Sequence, residues 1–263
     1  MTGYHKTLDE HRAMLHGMVR LQLHVLHRWS VAHPQEPFAD ALSKRVDIWH
    51  KTDLNPGGLV APFTDPDGVW AGLVERLGGL RANCADAAGF EEQAHALLAA
   101  RIDARAPLDL QLEMAGEHLR DYTYGSLRFH DCAPAEPGTV FLHIANAIAP
   151  RSIFADPAYL PGCLRRLLER AEAIGASRVR TETWLNAHPA WLALFPACWR
   201  ERLGPPLHEV QWHYGYWGQF LNASGRLNTR LAEAFRASGV LPYAPRTSWA
   251  TIAELRGHLA GLP

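Results

Sequence analysis

Apolar side chains recur at the spacing of an α-helix through the first part of the chain. In residues 6–33 they cover so broad an arc that the helix is expected to pack on more than one side. Segments with the same periodicity follow at 38–51, 67–80, 88–103 and 108–120. The pattern therefore predicts a helical region over residues 1–120.

The pattern changes after residue 120, where short apolar or alternating runs predict strands. These runs lie at 126–130, 139–148, 178–185 and 208–217. An amphipathic helix at 159–174 separates the second and third strands, and such a strand–helix–strand unit forms a right-handed parallel crossover. Helices at 226–238 and 248–260 complete an α/β region over residues 121–263.

Together these elements predict an α+β fold, in which an N-terminal helical layer packs on a C-terminal mixed sheet with one right-handed β-α-β crossover. The chain has 263 residues, enough for one large domain or two small ones. Open α/β sheets bind ligands beyond the carboxyl ends of their strands. Residues 181–188 lie at such an end and are both polar and aromatic, so a site is expected there.

Charge and cysteine usage narrow the classes of function. A net charge of −1 and a pI near 6.9 provide no field that would recruit nucleic acid or an anionic membrane. The cysteines, Cys84, Cys132, Cys163 and Cys198, are too far apart for a zinc-binding pair or a disulfide framework. Without a secretory signal or a membrane span, a cytoplasmic protein that acts on a small molecule is expected.

Two ionisable residues of the predicted sheet are candidates for proton transfer. Glu182 lies near the end of a strand, where it either accepts a proton from a substrate or pairs with Arg178 or Arg180. His143 lies within an apolar strand, either as a buried neutral imidazole or as a base close to Glu182. Both alternatives remain open for each residue.

Asn186 and His188 lie at the turn that follows the same strand. Asn186 either caps the next helix or orients a substrate carbonyl. Aromatic and polar side chains nearby in the sequence belong to the core or line a pocket for an aromatic or acyl substrate. The candidates for that lining are Trp184, Trp212, His213 and Tyr214.

The 15 histidines raise the possibility of a metal centre. His143 and Glu182, joined by His188 or His213, would form the two-histidine, one-carboxylate set of a mononuclear iron site. His5, His16 and His27 are eleven residues apart, so neighbours lie ~16 Å apart along a helix and cannot share an ion. They are predicted to form a polar margin that faces a groove or another helix. An iron- or zinc-dependent oxygenase or hydrolase is therefore one hypothesis.

A family resemblance gives a different hypothesis. The segments 141–150, 164–175, 179–186 and 192–195 resemble the central part of the GNAT acyltransferase superfamily. This resemblance implies a GNAT-like sheet, acyl-CoA as cofactor and acyl transfer to the amine of a small molecule. It also implies that Glu182, His143 and His188 carry the chemistry, and that Arg151 and Ser152 contact the cofactor.

One segment departs from the family pattern. GNAT enzymes bind the CoA pyrophosphate with a glycine-rich turn whose backbone N–H groups point at the phosphates. The corresponding loop, 151–162, contains Pro157 and Pro161, which have no N–H group. Either CoA is held differently here, or the fold has lost its usual cofactor and serves as a non-catalytic binding protein.

Overall fold

A computed structural model describes residues 6–58, 61–131 and 136–263. Two residues discussed above, His5 and Cys132, lie outside this part of the chain. The chain forms two compact units, residues 6–118 with 209–242 and residues 119–208 with 243–263. None of the helices in the described ranges has both the length and the run of apolar residues needed to cross a bilayer.

The first unit is helical. Its helices are α1 (Leu8–Ala32), α2 (Phe38–Arg45), α3 (Val69–Asn83), α4 (Ala87–Met114), α8 (Tyr214–Trp217) and α9 (Thr229–Ser238). Thr7 begins α1 with a capping box, because its hydroxyl accepts from the Glu10 N–H while the Glu10 carboxylate accepts from the Thr7 N–H. The predicted helix at 6–33 is thereby confirmed.

The long helices α1 and α4 also meet through polar groups. His16 Nδ1 lies 2.8 Å from His95 Nε2, and His16 Nε2 lies 3.2 Å from Asp103 Oδ1. His27 is buried, with Nε2 3.5 Å from the carbonyl oxygen of Cys84. The prediction that the helix margin faces another helix is confirmed for His16.

Two predicted helical segments, 88–103 and 108–120, are in fact one helix as far as Met114. Pro107 lies inside α4 and removes only one backbone hydrogen bond. On either side of Pro107, Asp103 and Asp109 of α4 contact His16 and His11 of α1. These contacts hold the two halves of α4 in line, so the predicted break does not occur.

The second unit contains a four-stranded mixed sheet in the order β1-β2-β3-β4. Its strands are β1 (Leu127–Asp131), β2 (Thr139–Ile144), β3 (Arg178–Thr183) and β4 (Arg246–Thr251). β2 and β3 are parallel and are joined through α5 (Tyr159–Ala173), whereas the two outer pairs are antiparallel. The α+β class and the parallel strand–helix–strand unit are confirmed.

One face of this sheet is apolar and forms the core of the unit. Val140, Leu142 and Val179 point into a cluster with the buried side chains of α5 and of α10 (Ile252–Leu259). Two short helices, α6 (Pro189–Leu192) and α7 (Ala197–Glu201), add buried tryptophans. The alternation along each strand leaves the polar side chains on the opposite face.

Three further predictions differ from the structure. The segment 208–217 is not a strand, because Tyr216 and Trp217 are neighbours and both are buried, which a helical turn permits and a two-sided strand does not. The first part of the predicted helix 248–260 is strand β4. Residues 209–242 belong to the helical unit, whereas the sequence prediction placed them with the sheet.

Candidate functional site

The polar face of the sheet brings together several residues that carry chemistry. The pairing of the strands places the side chains of opposed residues on the same face. Arg128 is opposite His143, His130 is opposite Phe141, and Arg180 is opposite both Phe141 and Trp249. The residues of this face are Arg128, His130, Phe141, His143, Arg178, Arg180, Glu182, Thr247 and Trp249.

The two parallel strands part in the middle of this face. Backbone pairing between β2 and β3 runs only from Thr139 and Arg178 to Phe141 and Arg180. Beyond that level the hydroxyl of Thr181 donates to the carbonyl oxygen of Leu142 at 2.9 Å, in place of a ladder bond. His143 and Glu182 follow the last backbone pair by two residues, so both lie on the polar face where the strands separate.

Glu182 is half-buried and its carboxylate makes no ion pair or hydrogen bond with the described residues. Its two arginine neighbours on β3 are engaged elsewhere. Arg180 pairs with Glu136, and the guanidinium carbon of Arg178 lies 5.3 Å from the ring centre of Trp249. The alternative that Glu182 serves a structural ion pair on the sheet is therefore wrong for this part of the chain.

His143 belongs to a pair of imidazoles rather than to the apolar core. Its Nε2 lies 2.7 Å from Nδ1 of His130, and the ring centroids are 4.7 Å apart. One nitrogen of such a pair carries the hydrogen and the other accepts it. His130 is exposed, so this pair connects the polar face to solvent. His143 is half-buried, so the alternative of a buried imidazole is wrong, and its role as a base close to Glu182 stays a prediction.

The rim beyond the strand ends is packed with rings, whereas the sequence predicted an opening there. Phe154, from the loop after β2, stacks on His188, from the turn after β3, with ring centroids 5.1 Å apart. Tyr243 and Trp184 contact the same imidazole at 5.1 Å and 6.0 Å. His188 therefore belongs to an aromatic cluster at the rim, while Glu182 and His143 lie on the polar face.

Burial lowers the pKa of His188 below its ordinary value. The unfolded state then binds this proton more readily than the folded state, so His188 lowers the free energy of unfolding as the pH falls below about 6.5. We expect His188→Gln to lose less stability than the wild type between about pH 7 and pH 5 in urea unfolding. His208→Gln, at an exposed histidine, is the control, and equal losses for both variants would contradict the assignment.

Asn186 is fully buried and its side chain is saturated with hydrogen bonds. Its Nδ2 donates to the carbonyl oxygens of Arg246 at 2.7 Å and Thr181 at 3.4 Å. Its Oδ1 accepts from the indoles of Trp191 at 3.1 Å and Trp199 at 3.2 Å. Asn186 thus ties β3, β4 and the short helices together, and neither capping nor substrate binding describes it.

The loop before α5 does not fit a CoA pyrophosphate. The Asp156 carboxylate accepts the Ala158 N–H at 2.9 Å, so a negative charge already occupies the start of the helix. The Ser152 hydroxyl accepts from the Phe154 N–H, and Arg151 is exposed. Arg151 and Ser152 therefore form no cradle of free N–H donors of the kind that binds phosphates in GNAT enzymes.

The remaining predicted lining residues belong to the helical unit. Trp212 is exposed, and the His213 carbonyl accepts the N–H groups of Tyr216 and Trp217 at the start of α8. The ring of Tyr214 lies 5.7 Å from the ammonium of Lys51. All three residues belong to the helical unit and none lies on a strand of the sheet.

The helical unit contains a buried ionic cluster that the sequence analysis missed. Lys51 is 2% exposed and its ammonium lies 2.6 Å from Asp47 Oδ2. Burial would raise the pKa of Asp47, but Lys51 and His50 outweigh it and lower the pKa to about 2. Asp47 precedes Lys51 by four residues and His50 by three. This spacing brings side chains together on one face of a helix, so it could have predicted the ion pairs from the sequence.

The helical unit contains a second group of ion pairs, which joins α4 to residues near the start of the chain. Arg105 pairs with Asp109 at 3.0 Å, and Asp109 also contacts the fully buried His11 at 2.9 Å. The ammonium of Lys6 lies 2.7 Å from Glu113. Each lysine or arginine of the two parts thus has a carboxylate partner, as in a structural network of buried ion pairs.

Across residues 6–58, 61–131 and 136–263, no three or more His, Cys, Asp or Glu side chains are grouped as metal ligands. The described part of the chain therefore supplies no ligand set for the iron or zinc hypothesis. Comparison of the chain with protein-family models, with curated proteins and with solved structures gave no match.

Proposed function

We propose that the sheet unit transfers an acyl group from a thioester to the amine of a small molecule, with Glu182 as the proton acceptor. The observation that supports it is a half-buried carboxylate, unpaired among the residues that the structure describes, at the level where two parallel strands part. A partly buried carboxylate without an ionic partner loses solvation without compensation, so folding alone does not favour it and a functional role accounts for it.

In this reaction the protein has to position the two substrates and to accept one proton. The amine nitrogen attacks the thioester carbon, the new C–N bond forms and the C–S bond breaks. The neutral amine gives up one proton to Glu182, which releases it to solvent, and the departing thiolate takes up one proton from solvent, so charge and atoms balance. A positioned carboxylate contributes about 10²–10⁴-fold to such a reaction.

The imidazole pair gives the proton a route away from the site. His143 lies level with Glu182 on the neighbouring strand, and His130 beyond it is exposed. When His143 takes up a proton at Nδ1, its Nε2 passes one to His130 Nδ1 along their 2.7 Å contact, and His130 releases one to solvent. In this proposal His143 and His130 restore the Glu182 carboxylate after each turnover.

Acyl-CoA is the donor to test first, but the loop before α5 argues against pyrophosphate recognition there. Acetyl-CoA and the acetyl thioester of N-acetylcysteamine, which has no pyrophosphate, are therefore expected to give kcat/KM values within about threefold of each other. Bonds from N–H donors to a pyrophosphate would separate them by roughly tenfold or more. Steady-state release of thiol with one amine acceptor measures the ratio, and a preference for acetyl-CoA above about tenfold would contradict this expectation.

A further inference from the structure

A pocket of about 330 Å³ lies on the polar face of the sheet, next to the level of Glu182. Its lining includes three arginines, Arg178, Arg180 and Arg202, one carboxylate residue, Glu136, and the ring of Trp249. The volume suits a small molecule. Three guanidinium groups around one cavity favour an anionic ligand.

The charges of this pocket are not balanced by the described residues. Arg180 pairs with Glu136, and Arg202 binds both oxygens of Glu254 at 2.7 Å and 2.8 Å. Arg178 has no carboxylate partner within the described ranges. The pocket therefore keeps one positive charge that is free to bind an anion.

Trp249 and Glu254 fix the positions of the guanidinium groups. The guanidinium carbon of Arg202 lies 4.0 Å from the Trp249 ring centre, and that of Arg178 lies 5.3 Å from it. An aromatic face within about 6 Å holds a guanidinium by cation–π attraction. An anion that enters the pocket thus meets donors that are already placed.

The pocket and Glu182 are separated by a distance that one small molecule spans. Arg180 lies two residues before Glu182 on β3 and Arg178 lies four residues before it, so their Cα atoms are ~6.6 Å and ~13 Å from that of Glu182. The guanidinium carbon of Arg178 lies 5.3 Å from the ring centre of Trp249, the residue opposite Arg180. A ligand whose anionic group contacts Arg178 or Arg180 brings an amine a few bonds away to the Glu182 carboxylate. The two ends of the face have opposite charge, which suits a zwitterion, and the bound ammonium loses one proton to solvent before the neutral amine attacks.

We propose that this pocket binds the carboxylate of an amino-carboxylate acceptor, whose amine then lies at Glu182. The substrate class rests on the proposed function, whereas the binding of a carboxylate does not. β-Alanine has both groups, and propylamine has the same chain length without the carboxylate. This pair of probes isolates the contribution of the pocket.

Calorimetric titration of the full chain tests the binding step. We expect β-alanine to bind the wild type and to bind Arg178→Gln at least about tenfold more weakly, the loss usual for a removed charge-assisted contact. Arg170→Gln, at an exposed arginine of α5, is the matched control and should bind as the wild type does. Absent binding to the wild type, or equal binding to Arg178→Gln, would overturn the proposal.

Transfer assays with the same probes separate this inference from the proposed function. If β-alanine binds through Arg178 but no thioester yields an amide, acyl transfer fails and the carboxylate pocket stands. If β-alanine and propylamine are acylated equally well, with no effect of Arg178→Gln, the pocket fails and acyl transfer stands. Preference for β-alanine of about tenfold or more, lost in Arg178→Gln, supports both.

Discussion

Replacing Glu182 with Gln is expected to lower the rate of amide formation by about 10²–10⁴-fold, because the amide cannot accept the proton that the amine loses. The free energy of unfolding should change by less than about 1 kcal/mol, since no described residue pairs with this carboxylate. Steady-state kinetics and urea unfolding measure the two effects on the same preparation.

Glu169→Gln provides the matched control for this prediction. Glu169 is an exposed carboxylate on α5, so the same substitution there should leave both rate and stability unchanged. A large loss of stability in Glu182→Gln would show that the carboxylate serves the fold. Unchanged kinetics would remove Glu182 from the reaction altogether.

Asn186→Ala is expected to destabilise the chain by about 3–5 kcal/mol, because several buried polar groups lose their partners at once. The indoles of Trp191 and Trp199 and the carbonyl of Arg246 would be left without this side chain in a site closed to water. Urea unfolding followed by tryptophan fluorescence reports the loss directly.

Two other variants calibrate that result. Trp191→Phe removes a single donor to Asn186 and should cost less than Asn186→Ala. Asn83→Ala removes an exposed side chain whose amide donates to Gly79, and should cost below about 1 kcal/mol. If Asn186→Ala stayed as stable as the wild type and lost only activity, Asn186 would be a substrate-binding residue after all.

Periodicity was sufficient for the elements that have a clear apolar face. Residues 159–174 have such a face, and their arrangement between two apolar strands predicted the parallel pairing of β2 and β3. Strand β4 was missed because its inward residues, Ser248 and Ala250, are small or polar. Ser248 is buried, and its hydroxyl donates a hydrogen bond to the Trp199 carbonyl oxygen. Such a long-range contact is not visible in any local sequence pattern.

The candidate site was predicted in part. The sequence identified Glu182 and His143 and expected them on neighbouring strands, where β2 and β3 place them. The partner of His143, His130, lies on an antiparallel strand beyond a loop, so its pairing depends on a register that the sequence did not define. Asn186 and His188 follow Glu182 closely, yet the turn after β3 carries them away from the polar face.

The arginine pocket depends on tertiary structure in the same way. Arg178 and Arg180 are separated from Arg202 by two short helices, and the missed strand β4 supplies Trp249 between them. Strand alternation alone places Arg178, Arg180 and Glu182 on one face. It does not show that Arg180 pairs with Glu136, that Arg178 lies beside the Trp249 ring, or that Glu182 has no ionic partner among the described residues.

Mass spectrometry of the products from an acetyl thioester and β-alanine tests acyl transfer at the polar face most directly. We expect N-acetyl-β-alanine to form with the wild type and to fall to the uncatalysed background with Glu182→Gln. Formation of the amide at the same rate with both proteins, or release of free acetate without any amide, would contradict the assignment of Glu182 as the proton acceptor in acyl transfer.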